Sequence, residues 1–510
     1  MEQTEQFIKE MEAAYLPKGE SITLGAGLLD NKCLKKARVN IPLKTLNRHG
    51  LISGATGTGK TKTLQLLAGA LSSKGVPTLL MDIKGDLSGI AKAGESTPRI
   101  EERQKTLGID FKPEQYPVEF LSLSEEKGVK VRATVSEFGP ILLSKILELN
   151  DTQASLVSII FSYCDNHHLP LLDLKDLKKV IQYMTNEGKE EIESQYGAIS
   201  NRSMGIILRK IIELEQQGAT RFFGERSFEV KDLARIDEEG KGCISILRLT
   251  DIQDKPNLFS TFMLSLLAEI YGSFPEEGDL EKPKLVIFID EAHLVFEEAS
   301  KALLDQLDSI VKLIRSKGVG MIFCTQLPTD IPSNILSQLG LKIQHALRAF
   351  TAKDRKAIKL TAENYPTSHY YNTTELLTSL GIGEALITAL SEKGVPTPLI
   401  ATLLSAPRSR MGVLTLDEID EIVSKSHLVQ KYNAEIDSES AYEILNAKIK
   451  AFNKKEKQDE IQQDFKKAKK EKSMLEKIVD SSAARQIGRT IAREISRGLL
   501  GVFGLGGRRR

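Results

Sequence analysis

Eight consecutive residues, Gly54-Ala55-Thr56-Gly57-Thr58-Gly59-Lys60-Thr61, carry the most specific chemistry in the chain. They match GxxxxGK[ST], in which glycines turn the backbone so that successive N–H groups face phosphate oxygens. In that pattern Lys60 bridges the β- and γ-phosphates of ATP, and Thr61 gives its hydroxyl to Mg2+. Lys62 follows directly and completes the nucleotide-binding run. The apolar stretch Gly50-Leu51-Ile52-Ser53 reads as the strand before the loop and Thr63–Leu71 as the helix after it. A chance glycine turn is the competing reading, and the strand–loop–helix setting argues against it.

A second signal is Leu285-Val286-Ile287-Phe288-Ile289-Asp290-Glu291, an apolar strand ending on two carboxylates. Asp290 has the place of the acid that holds Mg2+ through water. Glu291, one residue further, has the place of the base that polarises the attacking water. The alternative is an ion-pairing or helix-capping pair, since a helix begins next. Asp290-Glu291-Ala292-His293 spells the DEAH of one helicase family, but the following strand ends Phe323-Cys324-Thr325-Gln326 and no QxxGRxGR motif appears. A two-lobe helicase closing on ATP between its own lobes is therefore disfavoured.

Other polar residues stand at strand tips. Gln326 is placed to sense the γ-phosphate or orient water. Asp82, in Asp82-Ile83-Lys84-Gly85-Asp86, either touches Mg2+ or orders its loop. Arg315 and Arg348 are candidate fingers, cations that neutralise transition-state charge from a neighbouring subunit; ordinary surface salt bridges are the competing reading for both. His167, His168 and His345 read as ordinary polar residues.

These tips need a scaffold. Short apolar runs at Thr78–Met81, Cys243–Leu247, Leu285–Ile289, Met321–Cys324 and Leu341–Ala346 alternate with helices at Leu258–Tyr271 and Ala302–Ser316. That alternation predicts an α/β fold, a mostly parallel sheet covered on both faces. Glu384–Leu390 and Thr397–Leu404 read as a hairpin. Residues 1–48 read as a short helix, Glu2 to Tyr15, and a β segment; residues 49–410 as the ATPase core, with 85–240 a mostly helical insertion; and 411–510 as a charged helical region.

The ordered motifs GATGTGKT, MDIKGDL, FIDEAH, LIRSKGVG, CTQLPTDIP and QLGLKIQHALRAF resemble the HerA/FtsK superfamily of P-loop ATPases. Within it, the chain is similar to stand-alone bacterial HerA-like proteins of the DUF853 type, from about Leu24 to Gly506. The resemblance implies a RecA-like core, Mg-ATP at subunit interfaces and a homo-oligomeric ring, commonly a hexamer. It also implies a helicase-like motor that translocates DNA or another polymer, often beside a nuclease or other effector. Lys60, Thr61, Asp290, Glu291 and Gln326 fall on the family's catalytic motifs; Arg315 and Arg348 are carried over as the finger candidates. An ATP-driven switch or scaffold, or a motor on a protein, is the alternative. HerA proteins also carry an N-terminal β-barrel, for which the stretch before Leu51 is too short, and no nuclease carboxylate cluster is present.

Bulk composition narrows the partners. Seventy basic against 69 acidic side chains leave a net charge of +1, so DNA contact must be local rather than a general cationic coat. Four scattered cysteines show neither zinc spacing nor a disulfide framework. With no secretory leader and no membrane span, the expected setting is reducing and cytoplasmic. In the tail, Arg485, Arg489, Arg493 and Arg497 oppose Ile487, Ile491, Ile495 and Leu499 across one helix. Docking on the ATPase core or a neighbour, DNA-phosphate contact and an anionic membrane surface are the three readings of that tail.

Overall fold

The computed structural model describes residues 2–250, 255–278, 280–297, 301–434, 436, 438–451 and 454. The arginine and isoleucine stripes of the tail lie outside them. The chain divides into two compact units, Met1–Ala441 and Tyr442–Arg510. In the second, residues 442–451 are helical.

The first unit is organised by one twelve-stranded sheet. Its strands are β1 (Ser21–Leu29), β2 (Lys32–Pro42), β3 (Gly50–Ser53), β4 (Thr78–Asp82), β5 (Val118–Ser122) and β6 (Val129–Lys130). They continue with β7 (Ile244–Arg248), β8 (Leu285–Ile289), β9 (Val319–Thr325), β10 (Leu341–Gln344), β11 (Glu384–Thr388) and β12 (Ile400–Leu404). The spatial order is β2-β1-β12-β11-β10-β3-β9-β8-β4-β7-β5-β6. Every neighbouring pair from β10 to β6 is parallel, and every pair from β2 to β10 is antiparallel.

The four strands nearest the motifs, β3, β4, β8 and β9, are buried along their whole length. Continuous apolar runs such as Leu285–Ile289 suit strands with helices on both faces, and each buried Ile, Leu or Val side chain contributes about 1.5–3 kcal/mol. The helix α1 (Glu2–Tyr15) buries Phe7, Met11 and Tyr15 along one stripe. Its Tyr15 hydroxyl donates to the carbonyl of Pro398 at 2.6 Å and accepts from Thr397 Oγ1 at 2.8 Å, tying the N-terminus to the loop between β11 and β12. Thus β1, β2 and α1 complete the antiparallel wing, with β1 paired to β12.

Residues 85–240 supply helices Val135–Ile146, Asp151–Asn166, Leu174–Thr185, Lys189–Tyr196 and Asn201–Gln216. They also supply β5 and β6, which extend the parallel edge beyond β7. Another helix from this stretch, α3 (Pro98–Leu107), packs against β2. The remaining helix needed below, α2 (Lys60–Ser73), follows β3.

Candidate nucleotide site at the strand tips

Strand β3 enters the site between β9 and β10, and its loop is tied to both neighbours. The Gly54 N–H donates to the Gln326 carbonyl at 3.1 Å, and the Ala55 N–H to the Ala346 carbonyl at 2.9 Å. Gly54 has φ +151°, and a β-carbon there would lie 2.5 Å from His345 Cβ, so no larger residue fits. Beneath the loop, buried His345 meets Thr63 Oγ1 through Nε2 at 2.9 Å. Burial first, then the Lys60 charge, pushes its pKa down to about 4, keeping the ring neutral.

The start of α2 is open. Gly59, at φ +115°, precedes it with no side-chain cap, and no acidic residue sits in its first turn. Helices starting after Thr97, Thr134, Asn150 and Asp173 all have a side-chain oxygen accepting first-turn N–H bonds. An uncapped first turn offers unmatched N–H groups and a positive dipole end to an anion. Lys60 is buried beside it and donates to the Gly54 carbonyl at 2.7 Å and the Ala55 carbonyl at 3.3 Å. Burial lowers its pKa, while Glu291 and Asp290 pull the other way.

Acidic groups gather on the β9–β8–β4 side. Asp290 and Glu291 follow β8 and are 4 % and 3 % exposed. Glu291 takes the left-handed conformation at φ +46°, and the next N–H, of Ala292, donates to the Cys324 carbonyl at 2.8 Å. Glu291 Oε1 accepts from Lys84, while Oε2 comes within 3.2 Å of His293 Nδ1 without the alignment of a hydrogen bond. Burial, then repulsion from Glu291 and Asp86, pushes the Asp290 carboxyl up to about 7.

The loop after β4 links this group to the phosphate loop. Asp82 accepts N–H bonds from Gly85 at 2.7 Å, Asp86 at 3.2 Å and Leu87 at 3.1 Å. Burial raises its pKa to about 6. Of the two roles open to Asp82, its bonds perform the ordering of the loop. That loop presents Lys84 to Glu291 and Asp86 Oδ2 to Thr61 Oγ1, the latter at 3.3 Å.

Magnesium fits this donor set. Asp86 Oδ1, Asp290 Oδ2 and Glu291 Oε2 are buried oxygens without a hydrogen-bond partner, and the Thr61 hydroxyl stands beside Asp86. Hard oxygen donors are what Mg2+ prefers. Among the described residues no group of three or more His, Cys, Asp or Glu side chains could hold a metal unaided. An ion that arrives with a triphosphate and keeps several waters needs no such cage.

The remaining sequence candidates separate. Gln326 has an exposed side chain at the tip of β9, and its carbonyl anchors the phosphate loop. Arg348 lies two residues beyond Ala346 on the same edge, its guanidinium donating to the Thr378 carbonyl at 3.1 Å. Arg315 lies before β9 starts, close enough to His49 to influence its charge. The length of β9, about 20 Å at ~3.3 Å per residue, separates Arg315 from its own phosphate loop. Lys84, Asp86 and His345 belong to the site without having been singled out for it. The Lys84-Gly85-Asp86 run after a buried strand was the available signal for two of them.

Comparison with known proteins agrees with this architecture. Residues 29–510 match the family described as Helicase HerA-like C-terminal. The DNA double-strand break repair helicase HerA of Sulfurisphaera tokodaii is 25 % identical over 360 residues, covering 68 % of this chain and 64 % of that protein. The HerA of Saccharolobus solfataricus is 24 % identical over 363 residues, covering 69 % of this chain and 64 % of that one. The chain thus spans just under two thirds of the length of these relatives. Among solved structures, the bacterial conjugative coupling protein TrwB aligns with a TM-score of 0.51 at 14 % identity, over 80 % of this chain and 94 % of that one. TrwB in complex with the ATP analogue ADPNP aligns with a TM-score of 0.52 at 15 % identity, over 79 % and 94 %. The fold is that of a RecA-like P-loop ATPase, and the chain belongs to the HerA-like helicase C-terminal family.

Proposed function

We propose that this chain hydrolyses Mg-ATP and uses the energy to move DNA, acting as a ring of identical subunits, six by family precedent. The observation that carries the reading is the meeting of two incomplete halves. An anion suits the uncapped helix start, and a cation suits the three buried carboxylate oxygens that have no hydrogen-bond partner. Mg-ATP supplies both.

The side chains then divide the work. The first-turn N–H groups of α2 and Lys60 hold the phosphates, Lys60 exchanging two loop carbonyls for phosphate oxygens. Thr61 and Asp290 hold Mg2+, with Asp86 beside Thr61. The ion's chemistry is to neutralise charge on the phosphate oxygens as the terminal group leaves. Glu291 takes the proton of the attacking water, and exposed Gln326 orients that water. Lys84 holds the Glu291 carboxylate as an ion pair, and that contact must loosen before the carboxylate can turn to the water. Arg348, on the nucleotide edge, is the finger candidate nearest an active site, while Arg315 can serve only the site of another subunit.

DNA as the polymer and the ring rest on the family and its HerA members, the DNA double-strand break repair helicases. No helix among the described residues is long and apolar enough to cross a membrane. The test is steady-state ATP hydrolysis by the full chain with and without duplex DNA, beside native mass measurement in Mg-ATP. DNA-stimulated turnover by a hexamer is expected. Turnover indifferent to DNA would remove the motor reading, and a monomer in Mg-ATP would remove the ring.

A further inference from the structure

The phosphate loop has a second side. From β3 toward β10, β11 and β12, away from the carboxylates, a cleft of about 250 Å³ opens against Gly59, Lys62 and Thr63. We propose that this cleft is a purine slot that holds the nucleotide base by apolar contact and accepts adenine and guanine nearly alike. The proposal deepens the nucleotide reading above and rests on it.

Sheet order supplies the direction. If the terminal phosphate faces Glu291 on the β9–β8 side, the nucleoside must leave the loop toward β10–β12. The cleft is what it meets there. Its far wall is Ile382 and Gly383, just before β11, and Leu404 through Pro407, at the end of β12. Helix α3 closes it with Ile100, and Met411 forms part of the rim.

Two apolar residues of this wall are left in water, Ile382 at 60 % and Met411 at 36 % exposure. A flat base laid between them and Ile100 would cover both, as small-ligand sites lined mainly by apolar side chains do. The cleft is also preformed and tied to the loop. The Arg103 guanidinium donates to the carbonyls of Ile382 at 2.9 Å, Gly383 at 3.1 Å and Leu404 at 3.1 Å. The Gly383 N–H donates to the Thr58 carbonyl at 3.1 Å, and Lys62 Nζ to the Met411 carbonyl at 2.5 Å. The slot therefore keeps its place relative to the phosphates.

Base selectivity follows from what lines it. Rejecting adenine in favour of guanine needs an acceptor for the N1–H and exocyclic amine of guanine. No Asp, Glu, Asn or Gln is among the described lining residues, Arg103 already occupies the Ile382, Gly383 and Leu404 carbonyls, and the Ser405 hydroxyl is engaged with the Gln104 amide.

The experiment measures competition of Mg-ATP, Mg-GTP and Mg-tripolyphosphate for a fluorescent nucleotide on the full chain, wild type and Ile382→Ser. ATP and GTP are expected within about threefold of each other, and tripolyphosphate weaker by about tenfold or more. In Ile382→Ser both purine nucleotides fall by about tenfold while tripolyphosphate is unchanged, because the change is neutral and removes apolar contact with the base. Tripolyphosphate binding as tightly as ATP, GTP weaker by about a hundredfold, or ATP unaffected by Ile382→Ser overturns the slot. Equal weakening of all three ligands by Ile382→Ser also overturns it, since the change would then act through the loop. Loss of wild-type binding for ATP and tripolyphosphate alike rejects the phosphate-loop reading itself, and the slot with it.

Discussion

The two flanks of the phosphate loop are built to opposite specifications. On the β9–β8–β4 flank, buried carboxylates are left with unsatisfied oxygens, an arrangement that costs stability unless a cation arrives. On the β10–β12 flank, Arg103 satisfies three carbonyls at once and the open surface is apolar. One side is prepared for charge, the other for a flat hydrophobic surface. A single sheet imposes both, because β3 has β9 on one edge and β10 on the other.

The contrast breaks first at the loop between them. Lys60→Ala removes the one cation within Gly54–Thr61, the group proposed to hold the phosphates, and leaves both flanks in place. Turnover should fall by about a thousandfold. Isothermal titration with Mg-ATP beside the rate measurement checks this, and near-normal turnover would mean that the phosphates lie elsewhere.

On the charged flank, Asp290→Asn replaces a buried carboxylate with one unpartnered oxygen by a neutral group of the same shape. The nucleotide-free protein should gain about 2 kcal/mol in a urea melt at pH 8 while losing hydrolysis. A loss of stability would show that Asp290 is satisfied by its surroundings rather than poised for an ion.

Two buried histidines give the opposite electrostatic signature. Burial lowers His345, beneath the loop, to about 4, and His49, just before β3 and bonded to Val311 and Met321 on the β9 side, also to about 4. Because the folded values lie below the unfolded one, their stabilising contribution is complete above about pH 6.5 and is lost as pH falls toward about 4. Each ring should contribute about 1–2 kcal/mol to acid destabilisation over that window. Melts of wild type and His345→Gln at pH 7 and pH 4.5 check the sign: the variant should lose less on acidification.

A finer test concerns Lys84. Freeing Glu291 from its ion pair in Lys84→Met should raise turnover without DNA by about threefold and blunt the response to DNA. Slower turnover without DNA would place Lys84 on the phosphates instead.

What could be read from sequence alone follows the range of each interaction. The phosphate loop and the Asp290-Glu291 pair are each contiguous, and their flanking strands are unbroken apolar runs, so the elements that carry them and the parallel core were legible. The β11–β12 hairpin was legible for the same reason, its two strands lying close in sequence. Strand β5 was not: it is only half-buried over Val118 and Glu119, and β6 is two residues long. Helix α3 was hidden by its polar composition, with only Ile100, Gln104 and Leu107 buried. The pairing of β1 with β12 and the contact of Lys84 with Glu291 join residues hundreds of positions apart, for which a single sequence offers no local signal. Arg315 shows the converse difficulty. Its motif was visible, but which end of β9 carries it depends on strand direction.

The most direct test of the account is the rate of ATP hydrolysis by the full chain alone, with single-stranded DNA and with duplex DNA, using Glu291→Gln as the blank. The account predicts DNA-stimulated, salt-sensitive turnover in the wild type and turnover reduced by about a hundredfold or more in the variant, which still binds Mg-ATP. Undiminished turnover in Glu291→Gln would contradict the assignment of the catalytic base, and turnover that ignores DNA would contradict the motor.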